Sequence, residues 1–142
     1  MTDCRVEVWS DPFDPWQQLA LWCGDAAAAA IFIGRVRPTT MDGRPLQALE
    51  LEHFPGLCER QITAMAQRLQ QEHQAGPILV LHRVGKLAPG EPIVLVAVQA
   101  DRRGTAQRCS AELLEQIKHQ APFWKREWCA GQGTWLAANT PL

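Results

Sequence analysis

Ile93-Val94-Leu95-Val96-Ala97-Val98 is the most apolar run in the chain, and its length is that of a single strand. Six apolar residues in succession leave no polar face for water, so this strand belongs inside a sheet with both faces covered. Upstream, Gly85-Lys86-Leu87-Ala88-Pro89-Gly90 is its connection from another apolar strand, Ile78–Val84. Downstream, Asp101 or Thr105 is positioned to cap a helix with Ala106, Cys109, Leu113, Leu114 and Ile117 inward, running to Lys118–His119. Pro122 cannot continue that helix and pushes Ala121 toward an extended conformation. Phe123–Cys129 and Thr134–Ala137 then pair as a hairpin about a turn at Gly131-Gln132-Gly133.

The first half repeats the same grammar. Cys4–Trp9 alternates and reads as a strand, ended by Ser10-Asp11-Pro12, where Ser10 or Asp11 caps a short helix over Phe13–Trp22. Ala26–Ala30 favours helix by propensity, but it runs into Ile31-Phe32-Ile33-Gly34-Arg35-Val36, so Ala28–Val36 is assigned as strand. Small residues there suit close approach of another backbone. Arg37–Pro45 is a polar loop, Leu46–His53 a strand, and Leu57–Glu72 the best helix, ending near Ala75-Gly76-Pro77. Strands and about three helices in this order predict an α+β sandwich of mainly antiparallel sheet.

At 142 residues and 46% hydrophobic, the chain is one domain with enough length for a core. A net charge of −1 gives no global field toward nucleic acid or anionic membrane. The charge is uneven. Residues 1–30 carry five acids against one base, whereas residues 101–127 carry six bases against four acids. That concentration favours a local anion site.

The five cysteines are scattered without a C-x-x-C pair, and the four histidines show no ligand spacing, so no metal site and no cofactor are expected. Reduced thiols, no signal peptide and no apolar run of about 20 residues point to a cytoplasmic protein.

Candidate chemistry centres on Lys118 and Lys125, which bracket the stiff turn Ala121-Pro122-Phe123-Trp124. A lysine becomes a useful acid or nucleophile when burial or a neighbouring cation lowers its pKa. The bland alternative is a surface cation at a helix C-terminus, favoured by the macrodipole. Arg35 and Arg37 alternate with Val36 at a strand end, which sends both guanidiniums to one face. Arg102 and Arg103 stand where a helix start attracts anions, or else are solvated arginines at a sheet edge. His53 and His82 read as hydrogen-bonded structural histidines. On these residues alone the chain holds a pocket of Arg and Lys side chains suited to an anionic substrate, and the reaction stays open.

Four blocks carry a further signal: Phe32-Ile33-Gly34-Arg35-Val36-Arg37, Leu51-Glu52-His53-Phe54-Pro55-Gly56, His82-Arg83-Val84-Gly85-Lys86-Leu87-Ala88-Pro89-Gly90-Glu91, and Lys118 with Ala121-Pro122-Phe123-Trp124-Lys125-Arg126-Glu127. In order and spacing they resemble the large, catalytic subunit of molybdopterin synthase, the MoaE family. Residues 28–137 form the family core, and the first 25 residues are a variable strand and helix.

The resemblance implies an α/β-hammerhead-like α+β fold and a homodimer. A small ubiquitin-like, MoaD-like sulfur-carrier subunit binds at each end, making a heterotetramer. The implied reaction is sulfur transfer from the carrier's C-terminal thiocarboxylate to cyclic pyranopterin monophosphate, giving molybdopterin. It places Lys118 and Lys125 as catalytic residues. Arg35, Val36, Arg37, Arg102, Arg103, Arg126 and Glu127, with both lysines, are the substrate-binding positions. The family carries His-Arg where this chain has Arg102-Arg103. An imidazole moves protons near neutral pH and a guanidinium does not, so Arg102 is read as a phosphate contact. The uncharged tail Ala138–Leu142 offers little to a partner. A non-catalytic scaffold for the partner or a pterin, and a generic nucleotide-phosphate binder, are the competing readings.

Overall fold

The computed structural model describes residues 3–137. The expectation for the tail Ala138–Leu142 therefore lies outside the described residues. Eight strands and three helices run in the order β1 (Cys4–Trp9), α1 (Pro15–Trp22), β2 (Ala28–Arg35), β3 (Ala48–His53), α2 (Leu57–His73), β4 (Ile78–Arg83), β5 (Gly85–Leu87), β6 (Pro92–Ala100), α3 (Arg103–Gln120), β7 (Phe123–Cys129) and β8 (Gln132–Trp135). They form two four-stranded sheets, ordered β1-β4-β6-β2 and β5-β3-β7-β8. Every pairing is antiparallel except β1 with β4.

The apolar run sits where expected. β6 lies between β4 and β2, and its two faces enter different cores. Val94, Val96 and Val98 join Ile78 and Val80 against Ile62, Met65 and Leu69 of α2 and Cys109, Leu113 and Ile117 of α3. Leu95 and Ala97 join Leu79 and Leu81 against Phe13 and Leu19 near α1. Period-two alternation along both strands produces this split. Burying a leucine or valine fully stabilises by about 1.5–3 kcal/mol, so the doubly covered strands anchor the fold. The second sheet closes over Val36, Leu46, Leu49, Leu51 and Leu87, with Ile93 and Phe123 packed against them.

Helix starts differ from the sequence reading. Asp14, not Ser10 or Asp11, caps α1, accepting the Trp16 N–H at 3.0 Å, because Pro15 takes the first helical position where no N–H is needed. α3 begins after Arg102, whose side chain makes no capping bond; Thr105 already lies within the first turn and Asp101 before it. The stretch 85–87 pairs with β3 as a short edge strand instead of acting only as a connection. The hairpin turns at Ala130-Gly131, both at positive φ (50° and 77°), and Gln132 and Gly133 belong to β8. Two successive positive φ values make the tight turn whose twist matches the strands. Among the described residues, no helix is long and apolar enough to cross a membrane.

Candidate active site

A cavity of about 720 Å³ opens at the junction of the two sheets, and both lysines line it. Lys118 stands in the last turn of α3, where its charge meets the negative end of the helix. Ala121 is extended (φ −71°, ψ 140°), and its N–H closes the helix on the Ile117 carbonyl at 3.1 Å. Pro122 follows, and the chain enters β7 directly. The stiff turn therefore brings Lys118 and Lys125 to one cavity from two elements.

Alternation along β7 then sorts its side chains. Phe123, Lys125 and Glu127 face the cavity; the register sets Lys125 opposite Leu51 and Glu127 opposite Leu49. Burial lowers the pKa of Lys125 from its ordinary value, and the charge of Lys118 lowers it further. An amine so placed exchanges its proton closer to neutrality than a surface lysine. Glu127 accepts the Met41 N–H with both carboxylate oxygens, at 3.0 and 3.2 Å, and so holds the loop over residues 37–46 at the cavity rim.

Arg35, Val36 and Arg37 also line the cavity, with both guanidiniums exposed and Val36 buried. The β2–β6 register shifts between Gly34 and Arg35, and such a bulge re-aims the residues beyond it. Val36 is held instead by its N–H to the Glu91 carbonyl (2.9 Å) and its carbonyl to the Gly90 N–H (2.8 Å).

The other named residues lie elsewhere. Arg126 points to the outer face of the second sheet, where its guanidinium bonds Glu50 (2.7 Å) and lies over the rings of Trp128 and Trp135. Its opposite neighbour in the register is Glu50, which explains that choice. Arg102 and Arg103 are exposed at the start of α3, about 22 Å along the helix from Lys118 at 1.5 Å per residue. Arg103 lines a second groove with Ala28, Phe32 and Ala106, which shares Phe32 and Leu114 with the main cavity, but Arg103 itself does not line that cavity. One chain alone thus assembles Arg35, Val36, Arg37, Lys118, Lys125 and Glu127, and not Arg102, Arg103 or Arg126.

One residue read only as a hydrogen-bonded structural histidine also lines the cavity. His82 lines the wall, buried, with its ring flat on Phe123 (centroids 3.9 Å apart). Its Nδ1 is 2.8 Å from the Arg83 carbonyl oxygen, which can only accept, so Nδ1 carries the proton and Nε2 the lone pair. Burial pushes its pKa down to about 4. The available signal was a single polar side chain in phase with Ile78 and Val80. Among the described residues no group of three or more His, Cys, Asp or Glu side chains converges where a metal ion could be held.

Two sheets, three helices and an amine-bearing cationic cavity at their junction define the class: an α+β protein built to hold an anionic substrate against lysines. A family model described as MoaE protein matches residues 8–120, and the chain belongs to the MoaE family. A molybdopterin synthase catalytic subunit from Cereibacter sphaeroides is 39% identical over 138 residues, 95% of this chain and 92% of that protein. The solved molybdopterin cofactor biosynthesis protein E of Burkholderia multivorans has a TM-score of 0.79 at 33% identity, covering 97% of this chain and 90% of that one. A complex of subunits 1 and 2 of molybdopterin-converting factor from Helicobacter pylori shares the fold, with a TM-score of 0.78 at 17% identity, covering 93% and 90%.

Proposed function

We propose that this chain is the catalytic subunit of a molybdopterin synthase, a sulfurtransferase that converts cyclic pyranopterin monophosphate to molybdopterin. The sulfur comes from the C-terminal thiocarboxylate of a small ubiquitin-like partner. One observation carries the reading: Lys118 and Lys125, on separate elements, line a single cavity with Arg35 and Arg37. The substrate phosphate and the thiocarboxylate are both anions, and cations in a partly desolvated pocket hold such groups strongly. The thiocarboxylate sulfur forms a C–S bond on the substrate as a C–O bond there breaks, the displaced oxygen leaving as water or staying on the phosphate. Water then splits the acyl–sulfur link; the carrier leaves as a carboxylate and sulfur stays on the pterin. Lys118 and Lys125 stand at that carbonyl, countering the charge that develops on its oxygen.

The chain's own buried thiols are poor sulfur carriers. Burial pushes Cys58 up to about 12 and Cys109 to about 11, which keeps both protonated. That favours sulfur arriving on a partner, as the complex known for the Helicobacter pylori protein suggests. The reaction as proposed draws on no metal or cofactor held by this chain, and the reading places the protein in the cytoplasm.

Arg102 and Arg103 enter through a second copy. Among the described residues β2 pairs only with β6, leaving its other edge open beside the exposed Ile31 and Phe32. Two-fold antiparallel packing there sets the Arg103 end of one β2 beside the Arg35 end of the other. The assembly is then a homodimer with one carrier per copy, a heterotetramer.

The deciding experiment incubates the protein with thiocarboxylated carrier and the cyclic pterin, with mass spectrometry for a dithiolene product. Product formation is expected. Carrier binding without any product overturns the catalytic reading in favour of a scaffold.

A further inference from the structure

Glu91 touches three separate parts of the molecule. Its Oε1 is 3.2 Å from Nη1 of Arg83, whose side chain is only 5% exposed. Its Oε2 accepts the Ala88 N–H, closing the turn between β5 and β6. Its main-chain carbonyl accepts the Val36 N–H at 2.9 Å, while the adjacent Gly90 donates to the Val36 carbonyl at 2.8 Å. Arg35 Nη1 reaches the Gly90 carbonyl at 3.5 Å.

These contacts matter because of where the regular ladder fails. The β2–β6 register shifts between Gly34 and Arg35, so the segment that carries Arg35 and Arg37 lies at and beyond the break. Past that point, two hydrogen bonds to Gly90 and Glu91 hold Val36, and the turn that supplies them is itself held by the Glu91 carboxylate. The Ala88 N–H and then the Arg83 guanidinium keep that carboxylate below the usual carboxylate range. Arg83 in turn has a buried Nε without a partner, so Glu91 is the counter-charge it has in the sheet. A buried cation stripped of its counter-charge moves or drags its surroundings with it.

We propose that Glu91, anchored on Arg83, is a positioning residue that sets the Arg35–Arg37 arm for the anionic group of the substrate. It touches no reacting atom and acts through the turn at 88–91. The inference rests on the reading of the cavity as the site for a pterin phosphate. A merely structural ion pair would lower the melting temperature and leave the division between KM and kcat untouched.

The test is steady-state sulfur transfer with thiocarboxylated carrier and cyclic pterin monophosphate, well below the melting temperature of each variant. Glu91→Gln is expected to raise KM for the pterin about tenfold, with kcat and the KM for carrier within about twofold. Arg83→Lys, which keeps the charge, is expected to stay within about threefold of wild type in every constant. An unchanged pterin KM in folded Glu91→Gln overturns the proposal, as does an equal loss in kcat and carrier affinity. Should Glu91→Gln fail to fold, Glu91→Asp decides: its shorter side chain cannot span Arg83 and Ala88 together, so an unchanged pterin KM again overturns the proposal. Wild-type protein that yields no product defeats the reading of the cavity itself. Wild-type turnover with an unaltered variant KM defeats only the positioning role.

Discussion

The imidazole of His82 lies on the ring of Phe123 with centroids 3.9 Å apart and planes 17° from parallel, joining the first sheet to the second at the cavity wall. His53 stacks on the same Phe123 ring at 6.4 Å, so three rings from three strands meet where the sheets join. Burial, with Lys125 and His53 nearby, holds the His82 pKa at about 4, below its ordinary value of 6.5. In this window the unfolded chain binds the proton more readily than the folded one. The contribution is therefore complete above about pH 6.5 and fades as pH falls toward 4, by about 3 kcal/mol in all at 1.36 kcal/mol per pKa unit. Thermal melts of wild type and His82→Phe between pH 4 and 7 check this. The wild type should lose stability more steeply on acidification, and parallel curves would assign the acid sensitivity to another group.

Arg126 belongs to the stability of the outer sheet face. Its pair with Glu50, the Trp128 N–H on the same carboxylate (2.9 Å) and the two flanking rings form one network. Arg126→Ala should cost about 1–3 kcal/mol in denaturant unfolding while kcat/KM stays within about threefold. The Trp128 N–H and then Arg126 hold the Glu50 carboxyl below its ordinary value, so the network's contribution is present above the usual carboxylate range and fades in acid. A large loss of kcat/KM in stable Arg126→Ala would return this residue to the substrate.

Legibility followed locality. The run 93–98 announced a doubly covered strand because an unbroken apolar stretch has no other stable home, and β6 is that strand. Pro122 announced the helix stop and the extended Ala121 because both rest on fixed backbone sterics. Arg126 stands on the outer sheet face because strand alternation, applied to Lys125, requires its neighbour to face away, whereas the matching family segment draws both toward the substrate. Arg102 and Arg103 could not be placed from the chain alone, since a helix start says nothing about which molecule it faces. His82 is buried and hydrogen-bonded as its sequence reads, whereas its place on the cavity wall was not legible, because its ring partner, Phe123, lies 41 positions away in the sequence. The cap at Asp14 lost to Ser10 and Asp11 only because Pro15 was not used as the first helical residue.

Glu127 holds the rim loop through the main chain of Met41, so its removal should be felt first in that loop. A hydrogen bond to a charged group contributes about 1.5–3 kcal/mol, so amide exchange at Met41 should quicken about 10- to 100-fold in Glu127→Ala. Exchange in β4 and β6 should be unaffected, because their buried ladders open only with the whole fold. Unchanged protection at Met41 would show that the carboxylate is not what closes the loop.

The two lysines are coupled, and the coupling has a direction. Lys118→Ala should abolish product formation, with carrier affinity within about threefold, because in the proposed reaction the amine acts on the reacting carbonyl and not on the fold. The same substitution removes the cation that helps lower the Lys125 pKa, so Lys125 should titrate higher in the variant than in wild type, though still below an exposed lysine because burial, the larger cause, remains. Nuclear magnetic resonance of protein labelled at the lysine side chains follows that titration directly. A Lys125 pKa that stays put in Lys118→Ala would mean that the two ammonium groups do not share the cavity's field, and that the lost turnover has to be explained by Lys118 alone.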